Sequence, residues 1–138
     1  FAVHSFFQES GFYHLDPNIF TTSDCEGAGE VFKIVSPGYQ EEVQKALAEG
    51  KQLKESDKHF FKKEVFMVVS SQLQLEALCN GLGNCYTTNP SGRAEKSNTT
   101  RHLAQFTHAE YELSFSNLDD LMNLSELFVK YVTRYVLM

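Results

Sequence analysis

The stretch from Asn84 to Phe115 limits what this chain can fold into, because it reads as two strands joined by a loop. Asn84 to Thr88 and Arg93 to Glu95 form the outward run. Phe106 to Phe115 returns with alternation across Thr107, Ala109, Tyr111 and Leu113. Period-two alternation marks a strand with one buried face, and a lone hairpin is only marginally stable, so other elements must cover it. Helical spacing supplies them. Residues 2 to 10 place Ala2, Val3, Phe6 and Phe7 on one face ahead of Gly11, a C-cap. Gln72 to Asn80 set Leu73, Ala77 and Leu78 on one side, with Gly81 beyond the end. A last helix is capped by Ser116 or Asn117 and carries Asp119 and Asp120 in its first turn, where they favour the dipole. Its apolar stripe is Leu121, Leu124, Leu127, Phe128 and Tyr131. Further strand patterns lie at Phe12 to Leu15, broken at Pro17, and at Ile19 to Thr21, Val31 to Val35 and Glu64 to Val69. The expected class is α+β, a mostly antiparallel sheet flanked by helices.

A chain of 138 residues, 42% hydrophobic and 13% aromatic, supports one domain with a real core. Residues 37–57 differ in texture, being rich in Glu, Lys and Gln with only Val43, Ala46 and Leu47 on a weak apolar face. They read as an exposed helical insertion, close in composition to a disordered segment. The formal charge of −6 argues against this segment being the main nucleic-acid grip, which draws on clustered Lys and Arg. Cys25, Cys79 and Cys85 make an odd number without C-x-x-C spacing, so neither a disulfide framework nor a zinc knuckle is indicated and a reducing compartment fits. No run reaches the length of a membrane span, and no signal-peptide pattern opens the chain. The start at Phe1 and the helical run into Met138 read as the edges of a fragment.

Arg93, Glu95, Arg101, His102 and Phe106 form a set that suits a nucleotide. Phosphates want Arg and His, adenine wants a flat apolar face, and its amine wants an acceptor. Taken singly, Arg93 and Glu95 read equally well as a surface ion pair, and Phe106 as core. The acidic, glycine-bearing loop around Glu26 would let backbone approach a small cationic ligand, although it also reads as an ordinary turn. Its spacing is not that of a calcium loop. Ser70 and Gln72 stand at a strand-to-helix junction, where the Gln amide can bond both ends of an amino acid or cap the helix. Glu110 shares a strand face with Phe106 and with Glu112, and either carboxylate reads as a ligand or as solvated.

The string Gly92-Arg93-Ala94-Glu95-Lys96-Ser97-Asn98-Thr99-Thr100-Arg101-His102-Leu103-Ala104-Gln105-Phe106 resembles motif 2 of class II aminoacyl-tRNA synthetases in the asparaginyl form, close to F-R-A-E-N-S-N-T-S-R-H-L-A-E-F. Thr22 to Glu30 is similar to that family's T-x-S-D-C-E-G-A-G-E block, which follows motif 1 and its proline, here Pro17. Ser70 to Glu76 is similar to its S-G-Q-L-x-x-E segment. The resemblance implies that residues 1–138 are the N-terminal portion of the class II catalytic domain, with motifs 1 and 2. Motif 3, the magnesium ligands and the anticodon-binding domain would lie outside. It implies ATP binding by Arg93, Glu95, Arg101, His102 and Phe106, with Arg93 catalytic at the α-phosphate. Amino-acid binding falls to Glu26, Ser70, Gln72 and Glu110, and a homodimer contact to Phe6, Phe7 and Pro17.

The implied activity is that of an asparagine–tRNA ligase, with ATP, Mg2+, asparagine and tRNA(Asn) as its reactants, in the cytoplasm or an organellar matrix. Leu75 stands where aspartyl enzymes carry a Lys that pairs with the substrate carboxylate, which favours asparagine. An aspartyl enzyme, an asparagine synthetase on the same scaffold, and a non-catalytic interaction module are the alternatives. The chain departs from the pattern at Gly92 for Phe, Lys96 for Asn, Gln105 for Glu, Thr107 for Trp and Ser71 for Gly. Pro90, Ser91 and Gly92 together lead us to expect a bulge or kink before Arg93.

Overall fold

Phe7 sits at the centre of an aromatic cluster that decides where four elements go. In the computed structural model, which describes residues 1–23, 30–97 and 99–138, its exposure is 0%. The elements in order are α1 (Ala2–Glu9), β1 (Tyr13–His14), β2 (Phe20–Thr21), α2 (Pro37–Ala48), a 3-10 turn (Glu55–Lys58), β3 (Phe66–Met67), α3 (Gln72–Leu82), β4 (Cys85–Gly92), β5 (Gln105–Glu112) and α4 (Leu118–Leu137). They divide into two units, one of residues 1–17, 70–90 and 107–138, the other of residues 18–69 and 91–106.

In the first unit the Phe7 ring stacks on Tyr86 of β4 at 4.7 Å and on Phe128 of α4 at 5.3 Å, while Phe6 meets Phe128 and Tyr131. Val3, Phe12, Tyr111 and Leu124 close the cluster. Aromatic pairs at these separations add to the area they bury, so α1 and α4 are held by the same rings. The three-stranded sheet has the order β1-β4-β5. β1 runs parallel to β4, with Tyr13 opposite Cys85 and His14 opposite Tyr86. Asn84 Oδ1 accepts from the Ser114 N–H, and the Arg93 N–H donates to the Ala104 carbonyl, so β4 and β5 run antiparallel. The α4 cap is a capping box: Asn117 accepts from the N–H groups of Asp119 and Asp120, and Asp120 accepts from the Asn117 N–H.

In the second unit β2 and β3 are antiparallel, Phe20 opposite Met67 and Thr21 opposite Phe66, and Lys33 forms a single bridge to Phe66. Gly92 donates its N–H to the Val68 carbonyl at 3.0 Å. α2 begins with Pro37 in its first turn, where a missing N–H is harmless, and buries Val43 alone. Residues 37–57 are thus mostly ordered helix and turn, joined where the Tyr39 hydroxyl donates to the Asp57 carbonyl at 2.9 Å. Among the described residues no helix is long and apolar enough to cross a membrane.

Several expectations are corrected. Phe6 and Phe7, expected at a homodimer contact, are buried with Phe12 in the chain's own core. Pro17 is half-buried, and its carbonyl accepts from Asn89 Nδ2 at 3.2 Å. On α3 the buried residues are Leu75 and Cys79, one turn apart, while Leu73, Ala77 and Leu78 face solvent. The apolar side that decides is the one a strand covers, and Cys85 covers Leu75. Gly81 lies within α3; Gly83, at φ +86°, ends it. Val31 to Val35 shrinks to the one bridge at Lys33, and Arg93 to Glu95 leaves the ladder.

The kink at residues 90–92 does not occur. β4 runs unbroken to Gly92, because the missing side chain there makes room for Met67: a Cβ on Gly92 would stand 2.5 Å from the Met67 Sδ.

Two outcomes check this packing by chemical denaturation. Phe7→Ala should cost about 3–5 kcal/mol, as truncation of a buried ring does, whereas Tyr13→Ala, whose ring is 59% exposed, should stay within ~0.5 kcal/mol. Gly92→Phe should destabilise the protein, and Met67→Ala in the same chain should recover most of the loss.

Candidate functional site

The Arg93 N–H to Ala104 carbonyl bond, at 3.0 Å, ties the chain just after β4 to the chain just before β5. Because both ends are pinned, side chains from either limb face a shared space. A cavity of about 420 Å³ lies there, lined by Arg93, Glu95, Ser97, Arg101, His102, Leu103, Ala104 and Phe106. All five residues expected to meet a nucleotide are on that wall. The Arg93 guanidinium stands over the Phe106 ring, 5.6 Å from its centroid, so the aromatic face first steadies the cation. Arg93 Nε is buried and has no acceptor among the described residues. A buried donor of that kind is costly unless something supplies an acceptor, and an anion does so best. His102 is positioned through Nδ1 by the Thr99 hydroxyl, and Arg101 is exposed at the rim. The Ala94 N–H donates to the Glu30 carbonyl at 2.7 Å, which sets the chain after residues 24–29 against the Arg93 to Glu95 run. Glu26 itself lies outside the described residues.

The other expected ligands gather in the first unit. Glu110 accepts from the Ser70 hydroxyl and, at 2.9 Å, from the Ser71 N–H, and His108 Nδ1 lies 3.4 Å from the same carboxylate. Ser70 also accepts from the Gln72 N–H at 3.2 Å, so it holds the first turn of α3. Ser71, fully buried, accepts through its hydroxyl from Asn89 at 3.1 Å. Gln72 donates through Nε2 to Glu76 at 2.8 Å. A carboxylate has about four acceptor sites, so Glu110 retains capacity for about two more donors beside Ser70 and Ser71. Leu75, at 0% exposure between Cys79 and Cys85, has no face toward a ligand, and the contrast with a charged residue at that position is one of packing.

Asn89 and His108 escaped the sequence reading. Both sit on strands whose alternation puts them beside expected ligands, and that alternation is the signal that could have found them. Glu110 and Glu112 are both half-buried. Burial, with like charge from Glu76 and Glu110, raises the Glu112 carboxyl above its ordinary value. Burial likewise pushes the Cys85 thiol up to about 12, which makes it an inert core residue. Among the described residues no group of three or more His, Cys, Asp and Glu converges to hold a metal ion.

The native state holds the Glu112 proton more tightly than the unfolded chain, so the group's contribution is full below the ordinary value of 4.5 and is lost as pH rises through the raised one. Glu112→Gln should therefore raise Tm near neutral pH, and the gain should disappear below about pH 4.5 in scans across that range.

The family model described as tRNA synthetases class II (D, K and N) matches residues 1–138. An asparagine–tRNA ligase of Bacillus cereus is 47% identical over 137 residues, 99% of this chain and 29% of the relative. The asparagine–tRNA ligase of Oleidesulfovibrio alaskensis is 46% identical over 138 residues, with the same shares. The crystal structure of asparaginyl-tRNA synthetase from Pyrococcus horikoshii complexed with asparaginyl-adenylate superposes with a TM-score of 0.74 at 32% identity, over 96% of this chain and 25% of that one. The chain spans about 29% of the length of the curated relatives it matches.

Proposed function

The chain belongs to the class II tRNA synthetases of the D, K and N group, and we propose that it forms part of the catalytic domain of an asparagine–tRNA ligase. The observation that carries this reading is the single cavity onto which Arg93, Glu95, Arg101, His102 and Phe106 all open, with the buried Arg93 Nε lacking an acceptor among the described residues. That the relatives are asparagine–tRNA ligases supports the substrate. In the proposed reaction the asparagine carboxylate attacks the α-phosphate of ATP, pyrophosphate leaves, and the acyl group of the adenylate passes to the terminal ribose of tRNA(Asn).

Each group then has a task set by its chemistry. Arg93 meets the negative charge that develops on the α-phosphate, and its planar fork suits phosphate better than an ammonium would. Arg101 and His102 attract the outer phosphates from the loop. Phe106 offers the adenine an apolar face, and Glu95 accepts from the adenine amine. Ser70, Gln72 and Glu110 bind the amino acid, with Glu26 as the partner of its α-ammonium. Mg2+ has no ligand set among the described residues and enters no step here. Assembly as a homodimer and action in the cytoplasm, or an organellar matrix, accompany the reading.

The test is ATP–pyrophosphate exchange by the whole protein that carries these residues. Exchange should depend on asparagine and not on aspartate; exchange with aspartate, or none with either, would overturn the assignment. Arg93→Ala should lower asparagine-dependent exchange by about 10²–10³-fold, the usual cost of losing one preorganised donor to a developing charge, with an unchanged circular dichroism spectrum.

A further inference from the structure

The second unit carries a surface that the activation chemistry leaves unused. Residues 49–64 hold five Lys against Glu49, Glu55, Asp57 and Glu64, a local net of +1 in a chain whose formal charge is −6. Lys58 and Lys62 are steadied by ion pairs to Glu55 and Asp57, and Lys51 by Glu49. Lys54 and Lys63 are exposed and close no ion pair among the described residues. Beside them the rings of Phe60 and Phe61 are 57% and 47% exposed, edge to face at 4.9 Å, and Tyr39 braces Phe60 from behind at 5.7 Å. A cavity of about 100 Å³ opens between Ser36, Tyr39, Lys58, His59, Phe61 and Lys63. Lys62 is held at φ +64°, a left-handed backbone that strains a side chain with a Cβ.

Lysines around paired, braced, exposed rings are what an RNA strand requires: cations for its phosphates and flat faces for an unpaired base. The geometry points to this surface as a contact for the phosphate–sugar chain and an unstacked base of RNA, with a phosphate at the mouth of the Ser36–Lys63 cavity. The negative charge of the rest of the chain repels RNA and confines its approach to such a patch. An acidic polypeptide would use the lysines but has no need of exposed aromatic rings beside them. The identity of the RNA as tRNA(Asn) rests on the ligase reading; the chemistry of the surface does not.

The experiment is titration of the whole protein with a tRNA(Asn) transcript at several salt concentrations, beside asparagine-dependent exchange. Lys54→Glu with Lys63→Glu should weaken binding tenfold or more and flatten the salt dependence by about two phosphate contacts. Phe61→Ala should weaken it several-fold at every salt concentration. Lys62→Gly relieves the backbone strain while removing a charge, so it should bind more weakly and melt no lower. In all three, exchange should match the parent. Affinity within twofold of the parent across the set, or exchange falling in step with it, overturns the proposal. So does poly-glutamate binding that the same variants abolish. A parent without asparagine-dependent exchange would sink the ligase reading while leaving the transcript titration able to decide this one.

Discussion

The stack of Phe7 on Tyr86 is the contact on which the first unit depends. Tyr86 lies on the middle strand, Phe7 on the first helix, and Phe128 on the last, so one layer of rings joins the two ends of the chain to its hairpin. Buried rings contribute through area and through edge and face geometry together, and they tolerate little rearrangement. With α1 and α4 fixed in this way, the direction of β4 is fixed, and the Ser70–Glu110 network on its flank has a rigid support. The candidate ligands of that network are short side chains on or beside strands, which inherit such rigidity directly.

The second unit is organised by a different constraint, the absence of a side chain at Gly92. A glycine in a strand usually weakens it, yet here it admits Met67 and lets β4 run straight to the residue before Arg93. The Arg therefore leaves the ladder at a defined point, with its guanidinium over Phe106 and its Nε turned into protein where no acceptor waits among the described residues. Preorganisation of this kind places the cost of ordering a cation on folding and not on ligand capture.

Much of this was legible in the residues. The period-two run from Thr107 to Leu113 located β5, the Asn117 to Asp120 signature located the start of α4, and the Arg93 to Phe106 string brought together a set of side chains that one cavity now collects. What escaped was tertiary. Leu73, Ala77 and Leu78 form as good an apolar face as Leu75 and Cys79 do, and only the position of Cys85 selects between them. Phe6 and Phe7 are hydrophobic whether they meet a second chain or Phe128, and periodicity carries no information about which. The parallel pairing of β1 with β4 joins residues about 72 positions apart and has no local signal at all.

Asn89 illustrates how widely a buried amide can be felt. Its two N–H donors are both spent, on the Pro17 carbonyl and on the Ser71 hydroxyl, and Ser71 in turn gives its backbone N–H to Glu110. The turn after β1, the entry to α3 and the carboxylate on β5 are thereby wired as one piece. A substitution at position 89 would therefore be felt at the Glu110 carboxylate, two hydrogen bonds away. An aspartate there would be nearly the same size, yet it would set an acceptor against the Pro17 carbonyl and leave only the Ser71 hydroxyl able to turn and donate, so shape-based comparison of sequences would miss a damaging change at that site.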